Sequence, residues 1–415
     1  MKLTLRDIAY IPYVSYKKIS QLPKVISDYV PKFRSDETVC PAVGSVYAIV
    51  VCYSVFGVNE DLIDLLRSLK KGNVNAIVVC NGRPHPDGLK RLRSEAHRIL
   101  VRRNIGRDLG GYRAATLYLN AQGLAASRVL YFNDSLIYLT GEELDRMIQK
   151  LATGKYPVIG TFENHEFDHH IGSYAFSMSE DVFKHPKILK FWRRYRPYDI
   201  RPHAIRNGEI ALSKRIKKLG YTIDVIYSID RLGEALHRMD APQLLELVRY
   251  MPTAWRDFFL NRTYKGPIGP NIGLIDEFSD MPAAASSPPT GPVRLSIAGG
   301  ARPRVETAIV SPNPGALNAT RMALAKAALA DLIISGIANS SQVHAGFGVF
   351  HKLMKTPLVK KDLLQHGMYV EQDCALILSD VPDGMRAAVL RQLINRGRPV
   401  YVRGMKKFRM HHGLG

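Results

Sequence analysis

Runs of apolar residues, each closed by a polar or glycine turn, organise the first half of this chain. Residues 46–53 (VYAIVVCY) are apolar throughout and stop at Ser54, residues 76–80 (AIVVC) stop at Asn81-Gly82, and residues 99–101 form a shorter run. Continuous apolar runs rich in Val and Ile read as strands buried on both faces of a sheet. Between the first two, Leu62, Ile63, Leu65, Leu66 and Leu69 recur with a period near 3.6 over residues 60–70, behind Asn59 at the N-cap position. Residues 86–98 predict a basic helix. This βαβαβ rhythm predicts an α/β fold, a mostly parallel sheet flanked by helices.

The strongest run is 128–135 (RVLYFNDS), whose apolar core ends abruptly at Asn133, Asp134 and Ser135. Open α/β sheets bind ligands at the carboxyl ends of their strands. A carboxylate there can hold a divalent cation or a sugar hydroxyl, or the three residues can simply turn the chain. Before it, residues 103–112 (RNIGRDLGGY) lead into a helix predicted over 112–121. Gly106, Gly110 and Gly111 permit positive φ or close backbone approach. Arg107 can bridge phosphates, and Asp108 can hold a ribose, sugar or metal, or orient Arg107. The glycine spacing is not that of a dinucleotide fingerprint.

Downstream, a helix is predicted over 141–151 with Thr140 as cap, and strands over 156–163, 173–178 and 222–227. Glu163, Asn164, His165, Glu166, Asp168, His169 and His170 crowd one strand end, a group able to bind metal or to stand in solvent. A helix over 207–219 puts Glu209 in its first turn, where the helix dipole favours a carboxylate. Residues 1–45, with Pro12, Pro23, Pro31 and Pro41, read as an irregular lead-in. Residues 46–263 read as one catalytic-sized domain, 264–318 as a Pro/Ala-rich connection, and 319–415 as a basic C-terminal segment packing on that domain, opened by a helix near 317–334.

Composition adds two constraints. Four well-separated cysteines without a CxxC pair predict free thiols, no disulfide framework and no zinc. The net charge of +21, from 58 Lys and Arg against 37 Asp and Glu, demands a polyanionic partner or surface. Residues 184–206 alone carry eight Lys and Arg against Asp199, interleaved with Phe191, Trp192, Tyr195 and Tyr198. No apolar run approaches the ~20 residues of a membrane span, and the N-terminus lacks a signal-peptide core. The expectation is a cytoplasmic protein, peripheral at the inner membrane face.

Four segments in order resemble the rhamnan synthesis F-type glycosyltransferases of bacterial cell-surface polysaccharide assembly. They are Asn104-Ile-Gly-Arg-Asp108, Phe132-Asn-Asp-Ser135, His170-Ile-Gly-Ser-Tyr174 followed by Phe191-Trp192, and Glu209-Ile-Ala-Leu-Ser213; residues 356–363 (TPLVKKDL) resemble the family's C-terminal segment. The chain departs from the pattern at Gly172, where the family carries Gln. The resemblance implies a GT-A-like fold and an enzyme of the hexosyltransferase type. It would move a sugar such as rhamnose from a nucleotide-diphosphate donor to a growing polysaccharide or lipid-linked glycan. On that reading Tyr53, Asn81, Asn104, Arg107, Asp108 and Asn133 surround the donor, and Asp134 holds Mg²⁺ or Mn²⁺. Glu209, His170 and Glu163 are the candidate bases for the acceptor hydroxyl, with Glu209 ranked first. An anionic membrane surface is the expected partner and nucleic acid is not. A nucleic-acid-binding protein using the basic-aromatic run, and a non-catalytic scaffold of a polysaccharide complex, are the alternatives.

Overall fold

The computed structural model describes residues 5–165, 168–253, 255–256 and 314–397. At its centre lies an eight-stranded mixed sheet. In chain order its strands are β1 (Phe33–Thr38), β2 (Val46–Cys52), β3 (Asn75–Asn81), β4 (Arg98–Arg102), β5 (Arg128–Asn133), β7 (Val158–Gly160), β10 (Ala175–Ser179) and β11 (Ile223–Val225). Two small sheets sit beside it, β6 (Leu136–Tyr138) with β12 (Leu358–Lys360), and β8 (Glu163–Asn164) with β9 (His170–Ile171). The spatial order β1-β4-β3-β2-β5-β10-β7-β11 places the predicted buried runs in the middle. β4, β3, β2 and β5 are parallel, whereas β1 and β10 run antiparallel to their neighbours.

Why these runs are central follows from their alternation. On β2, Ala48, Val50 and Cys52 enter the apolar layer on one face of the sheet, and Tyr47, Ile49 and Val51 enter the layer on the other. On β5, Leu130 and Phe132 face the first layer, Val129 and Tyr131 the second, all fully buried. Each such side chain contributes roughly 1.5–3 kcal/mol on removal from water. Helix Glu60–Lys71 covers the first face and helix Arg107–Ala121 the second. Cys52 and Cys80 face each other in register, buried, with sulfurs 3.9 Å apart.

The lead-in is not irregular. Residues 5–27 form a helix that contains Pro12 and Pro23, and Phe33–Thr38 forms the edge strand of the main sheet. The helix end is anchored by burial of Asp28 between Arg102 (3.1 Å) and Arg113 (3.2 Å). Burial pushes the Asp28 carboxyl up, while the two guanidinium groups oppose that shift.

Other boundaries shift as well. The second-face helix begins at Arg107, so the glycine-rich turn carries Asp108 into its first turn. Helix Glu142–Thr153 is preceded by Gly141 at its N-cap instead of Thr140, and the strand expected over 156–163 narrows to Val158–Gly160. The chain is already helical from Arg201, and residues Ile205–Ile210 form a π-helix before the α-helix Ala211–Lys218. Glu209 therefore lies inside a continuous helical stretch, not in a first turn, and the helix dipole does not account for it.

The C-terminal segment packs on this core. Helix Pro314–Ala338 lies against helices Ile229–Arg238 and Ala241–Val248. Most of the Pro/Ala-rich connection, residues 264–313, and the basic tail from 398 lie outside the described residues. No helix among the described residues is long and apolar enough to cross a membrane.

Candidate functional site

The carboxyl ends of β2, β3, β4 and β5 open at one edge of the sheet, and there the polar residues that close each run meet. β5 ends in Asn133, fully buried; its amide donates to Asp108 Oδ2 (3.0 Å), and its Oδ1 accepts from the N–H and hydroxyl of Ser135. Asp134 follows, half-buried, with Oδ2 accepting from the Tyr53 N–H at 2.7 Å. Asn81, also buried, holds the Arg107 carbonyl at 3.1 Å and accepts from Arg102 at 2.7 Å. Asn81 and Asn133 thus spend their side chains inside the protein, fixing the Arg107–Asp108 turn. Tyr53, Asn104 and Arg107 are exposed at the rim. Gly106 takes φ +76°, and a Cβ there would lie 2.2 Å from Pro197; this approach seats the turn against the segment leading to Glu209.

Four charged groups act on Asp108. Burial pushes the Asp108 carboxyl up to about 7, and Asp134 and Glu209 push it the same way, while Lys360 and Arg107 oppose. Glu209 accepts a hydrogen bond from Ser173 Oγ, and its other oxygen lies 3.8 Å from His170 Nε2. His170 is buried, with Nδ1 on the Asp168 carbonyl at 2.7 Å. Lys360 comes from the far C-terminal segment. β12 pairs antiparallel with β6, Lys360 opposite Leu136, and its ammonium donates to Ser135 Oγ at 2.7 Å. It also lies 5.0 Å over the Tyr174 ring. Burial pulls the Lys360 ammonium down. A Cβ at Gly172 would meet that Tyr174 ring at 2.3 Å, so the ring fills the space a longer side chain there would need.

Glu163 belongs to a different group. Its carboxylate accepts from the Ile229 N–H (3.0 Å) and faces His169 (2.7 Å) and His165 (3.5 Å). Burial would raise this carboxyl, but those partners outweigh burial and hold it below the usual range. Glu166 lies outside the described residues.

Sequence reasoning missed Lys360, Phe56 and Ser173. Lys360 stood in a quoted segment without a role, because nothing local ties it to Ser135. Phe56 is 89% exposed and packs edge-on to Tyr53, itself 46% exposed, giving two apolar faces at the end of β2. An isolated Phe in a turn carries no signal of that.

The residues present fit a hard cation. Asp134 has one oxygen fixed by the Tyr53 N–H, and among the described residues nothing takes the other. Burial is the main cause of the upward shift at Asp108, and the neighbouring Asp134 and Glu209 carboxylates add to it; a cation there would offset that part. Mg²⁺ and Mn²⁺ take one or two carboxylates together with phosphate oxygens and water.

The pH dependence has a definite sign. An ordinary aspartate titrates near 3.8, but folded Asp108 titrates near about 7, so between them the folded chain keeps a proton the unfolded chain has lost. This stabilising contribution is full below 3.8 and is lost as pH rises through about 7. The melting temperature of the wild type should therefore fall relative to Asp108→Asn between about pH 4 and pH 8. Parallel melting curves for the two proteins would show that Asp108 stays charged across that window.

Comparison with known proteins agrees with the four segments between Asn104 and Ser213. The profile of the family described as rhamnan synthesis protein F matches residues 76–245. The uncharacterized protein y4gN of Sinorhizobium fredii is 26% identical over 211 residues, and the match covers 50% of this chain and 55% of that protein. The chain thus spans about half the length of the curated relative it matches. Two structures of the glycosyltransferase GlyE of Streptococcus pneumoniae TIGR4, the second an apo form, are similar at 12% identity. The first covers 44% of this chain and 45% of GlyE with a TM-score of 0.28, the second 43% and 45% with 0.25. Over residues 76–245, which hold the Arg107–Asp108 turn, Asp134 and Glu209, the chain matches the rhamnan synthesis protein F family.

Proposed function

We propose that this protein is a glycosyltransferase of GT-A-like architecture that moves a hexosyl group, rhamnose among the candidates, from a nucleotide-diphosphate sugar to a growing cell-surface polysaccharide or lipid-linked glycan. The observation that carries the reading is the convergence of Asp108, Asp134, Glu209, Arg107 and Lys360 at the strand ends of the sheet. Sugar transfer from a diphosphate builds negative charge on the leaving group while the sugar carbon becomes cationic. Arg107 and Lys360 supply positive charge for the diphosphate, and Asp134 would hold the divalent ion that shares that load. Tyr53 and Phe56 offer faces on which a nucleobase stacks. Glu209 accepts the proton of the acceptor hydroxyl, oriented by Ser173 and His170. Asn81 and Asn133 hold the turn in place behind the donor.

The experiment that tests this is a thermal-shift and calorimetric screen of nucleotide sugars and nucleoside diphosphates with and without Mn²⁺. At least one nucleoside diphosphate should bind, more tightly with the ion present. No binding of any nucleotide under either condition would remove the enzyme reading.

The acceptor side involves the basic surface. A cleft of about 420 Å³ is lined by Lys187, Lys190, Arg194, Arg196 and Arg215, with Phe191 and Tyr195 among them. None of those five cations pairs with a carboxylate among the described residues. We place this cleft against an anionic membrane face, at the cytoplasmic side, where each engaged Lys or Arg contributes about 1 kcal/mol. The protein should sediment with anionic vesicles at low salt, be released as salt rises, and ignore neutral vesicles. Lys190→Glu with Arg194→Glu should abolish that attachment. Indifference to both vesicle types sinks the membrane claim, and oligonucleotide binding that survives high salt would favour the nucleic-acid alternative.

A further inference from the structure

Outside the candidate catalytic centre, three side chains of the C-terminal segment converge in a way that nothing above uses. His344 Nε2 lies 2.9 Å from one oxygen of Asp362, and His366 Nε2 lies 3.2 Å from the other. The ligand atoms of the three residues all lie within 4.8 Å of one another. His344 is 4% exposed, on the short helix Gln342–Ala345, and the rings of the two histidines approach to 4.6 Å. Asp362 and His366 lie one turn apart, closed by the His366 N–H on the Asp362 carbonyl at 3.0 Å.

We infer that His344, Asp362 and His366 form a binding site for a first-row divalent cation, with zinc the best match. Two imidazole nitrogens and one carboxylate, completed by water, are a ligand set zinc takes readily. Metal–ligand bonds of about 2.0–2.1 Å at tetrahedral angles put neighbouring ligand atoms roughly 3.3 Å apart; the two imidazole nitrogens stand 2.9 and 3.2 Å from opposite oxygens of Asp362, so both oxygens, or one after a turn of the carboxylate, can share an ion with them. The second nitrogen of His344 is engaged as well, with Nδ1 2.8 Å from Ser341 Oγ. Such an outer partner fixes the ring and turns Nε2 towards the ion. The Glu163, His165 and His169 group has similar residue types. There, however, the Lys217 amine is bonded directly to a histidine of the group, whereas the lysine nearest Asp362, Lys360, is bonded to Ser135 and not to any of the three ligands.

The position of the site gives the ion a task. Asp362 lies two residues after Lys360, and β12 is a short strand held by pairing to β6. An ion joining Asp362 and His366 to the buried His344 fastens the turn after β12, and so fixes the segment that delivers Lys360 to Ser135.

The test uses the full chain and needs no knowledge of the reaction. Chelator-treated protein is titrated with ZnCl₂ by calorimetry, and with CoCl₂ while the visible absorption of tetrahedral cobalt is followed. We expect one saturable equivalent, a cobalt spectrum, and a melting temperature that rises with zinc. His366→Ala, a partly exposed position, should fold as the wild type does and weaken zinc binding by about a hundredfold or more. His169→Ala should leave it unchanged. Absence of saturable zinc binding to the wild type, or wild-type affinity in His366→Ala, overturns the site and leaves Asp362 as an ordinary hydrogen-bond bridge between two imidazoles. Loss of binding in His169→Ala but not in His366→Ala would assign the ion to the other group and equally overturn it.

Discussion

Asp134→Asn should fold to a protein with the wild-type melting temperature and lose turnover by a factor of about 10²–10³, the usual cost of removing one fixed charge-stabilising group. The fold expectation rests on how little of Asp134 is used for packing. The apolar residues of β5 end before it, and its carboxylate meets the rest of the protein through the Tyr53 N–H, which an asparagine Oδ1 accepts equally well. What the substitution removes is the charge facing the open side of the sheet. That charge is what a Mg²⁺ or Mn²⁺ ion would bind, and it is one reason the Asp108 carboxyl is pushed up. The variant should bind the nucleoside diphosphate with a much smaller response to Mn²⁺, while metal-free binding stays close to wild type. Release of nucleoside diphosphate at saturating donor is the measurement. Wild-type turnover in the variant would show that Asn133, Asp134 and Ser135 only turn the chain.

The parts of this fold that were legible share a physical cause. Strands β2, β3 and β5 are buried on both faces, so their apolar runs are continuous and end where the sheet meets solvent. Strand ends in such a sheet collect ligands, and this marks Asp134, Asn81 and the Arg107–Asp108 turn as candidates from the sequence alone. β1 was illegible for the opposite reason. Its sequence FRSDET is a polar edge strand, stabilised by pairs such as Arg98 with Asp36 (2.7 Å) and not by an apolar face. Helix Leu5–Ser27 hid behind two prolines that usually end helices. The antiparallel placement of β10 between β5 and β7 depends on pairings that no local pattern records.

The site was legible only where it is local. Asp108 and Asn133 lie far apart in sequence, yet both stood out by closing an apolar run or opening a glycine-rich turn. Lys360 reaches Ser135 through the pairing of β12 with β6, a contact between residues 225 apart in sequence. The π-helix around Glu209 is set by tertiary packing. Gly208 lies so close to Leu109 that a Cβ would sit 2.1 Å from its methyl carbon, which brings Glu209 up to the Asp108 turn. π-helical turns recur at functional sites because the extra residue re-aims a side chain.

Among the three candidate bases, Glu209→Gln should cause the largest loss of transfer, about 10²–10⁴-fold, the range that a positioned general base supplies. Glu209 is the candidate whose charge is felt at Asp108, beside the proposed donor site. Its carboxylate is held from one side by Ser173 and approached by His170 from the other, a second partner that keeps it in one orientation. Gln keeps the Ser173 contact and the shape but cannot take a proton. Donor binding should stay within about twofold of wild type, because the loss falls on the transition state and not on the ground state. Glu163→Gln should behave in the reverse sense. That carboxylate is buried against His169 and the Ile229 N–H, so the variant loses about 1–3 kcal/mol of stability through an imperfectly satisfied buried group and keeps most of its turnover. The two variants are compared by melting temperature, by donor affinity and by transfer to the acceptor at saturating donor. If Glu163→Gln is the inactive one and Glu209→Gln transfers normally, the base belongs to the β8–β9 hairpin, and the π-helical turn serves only to pack Gly208 against Leu109.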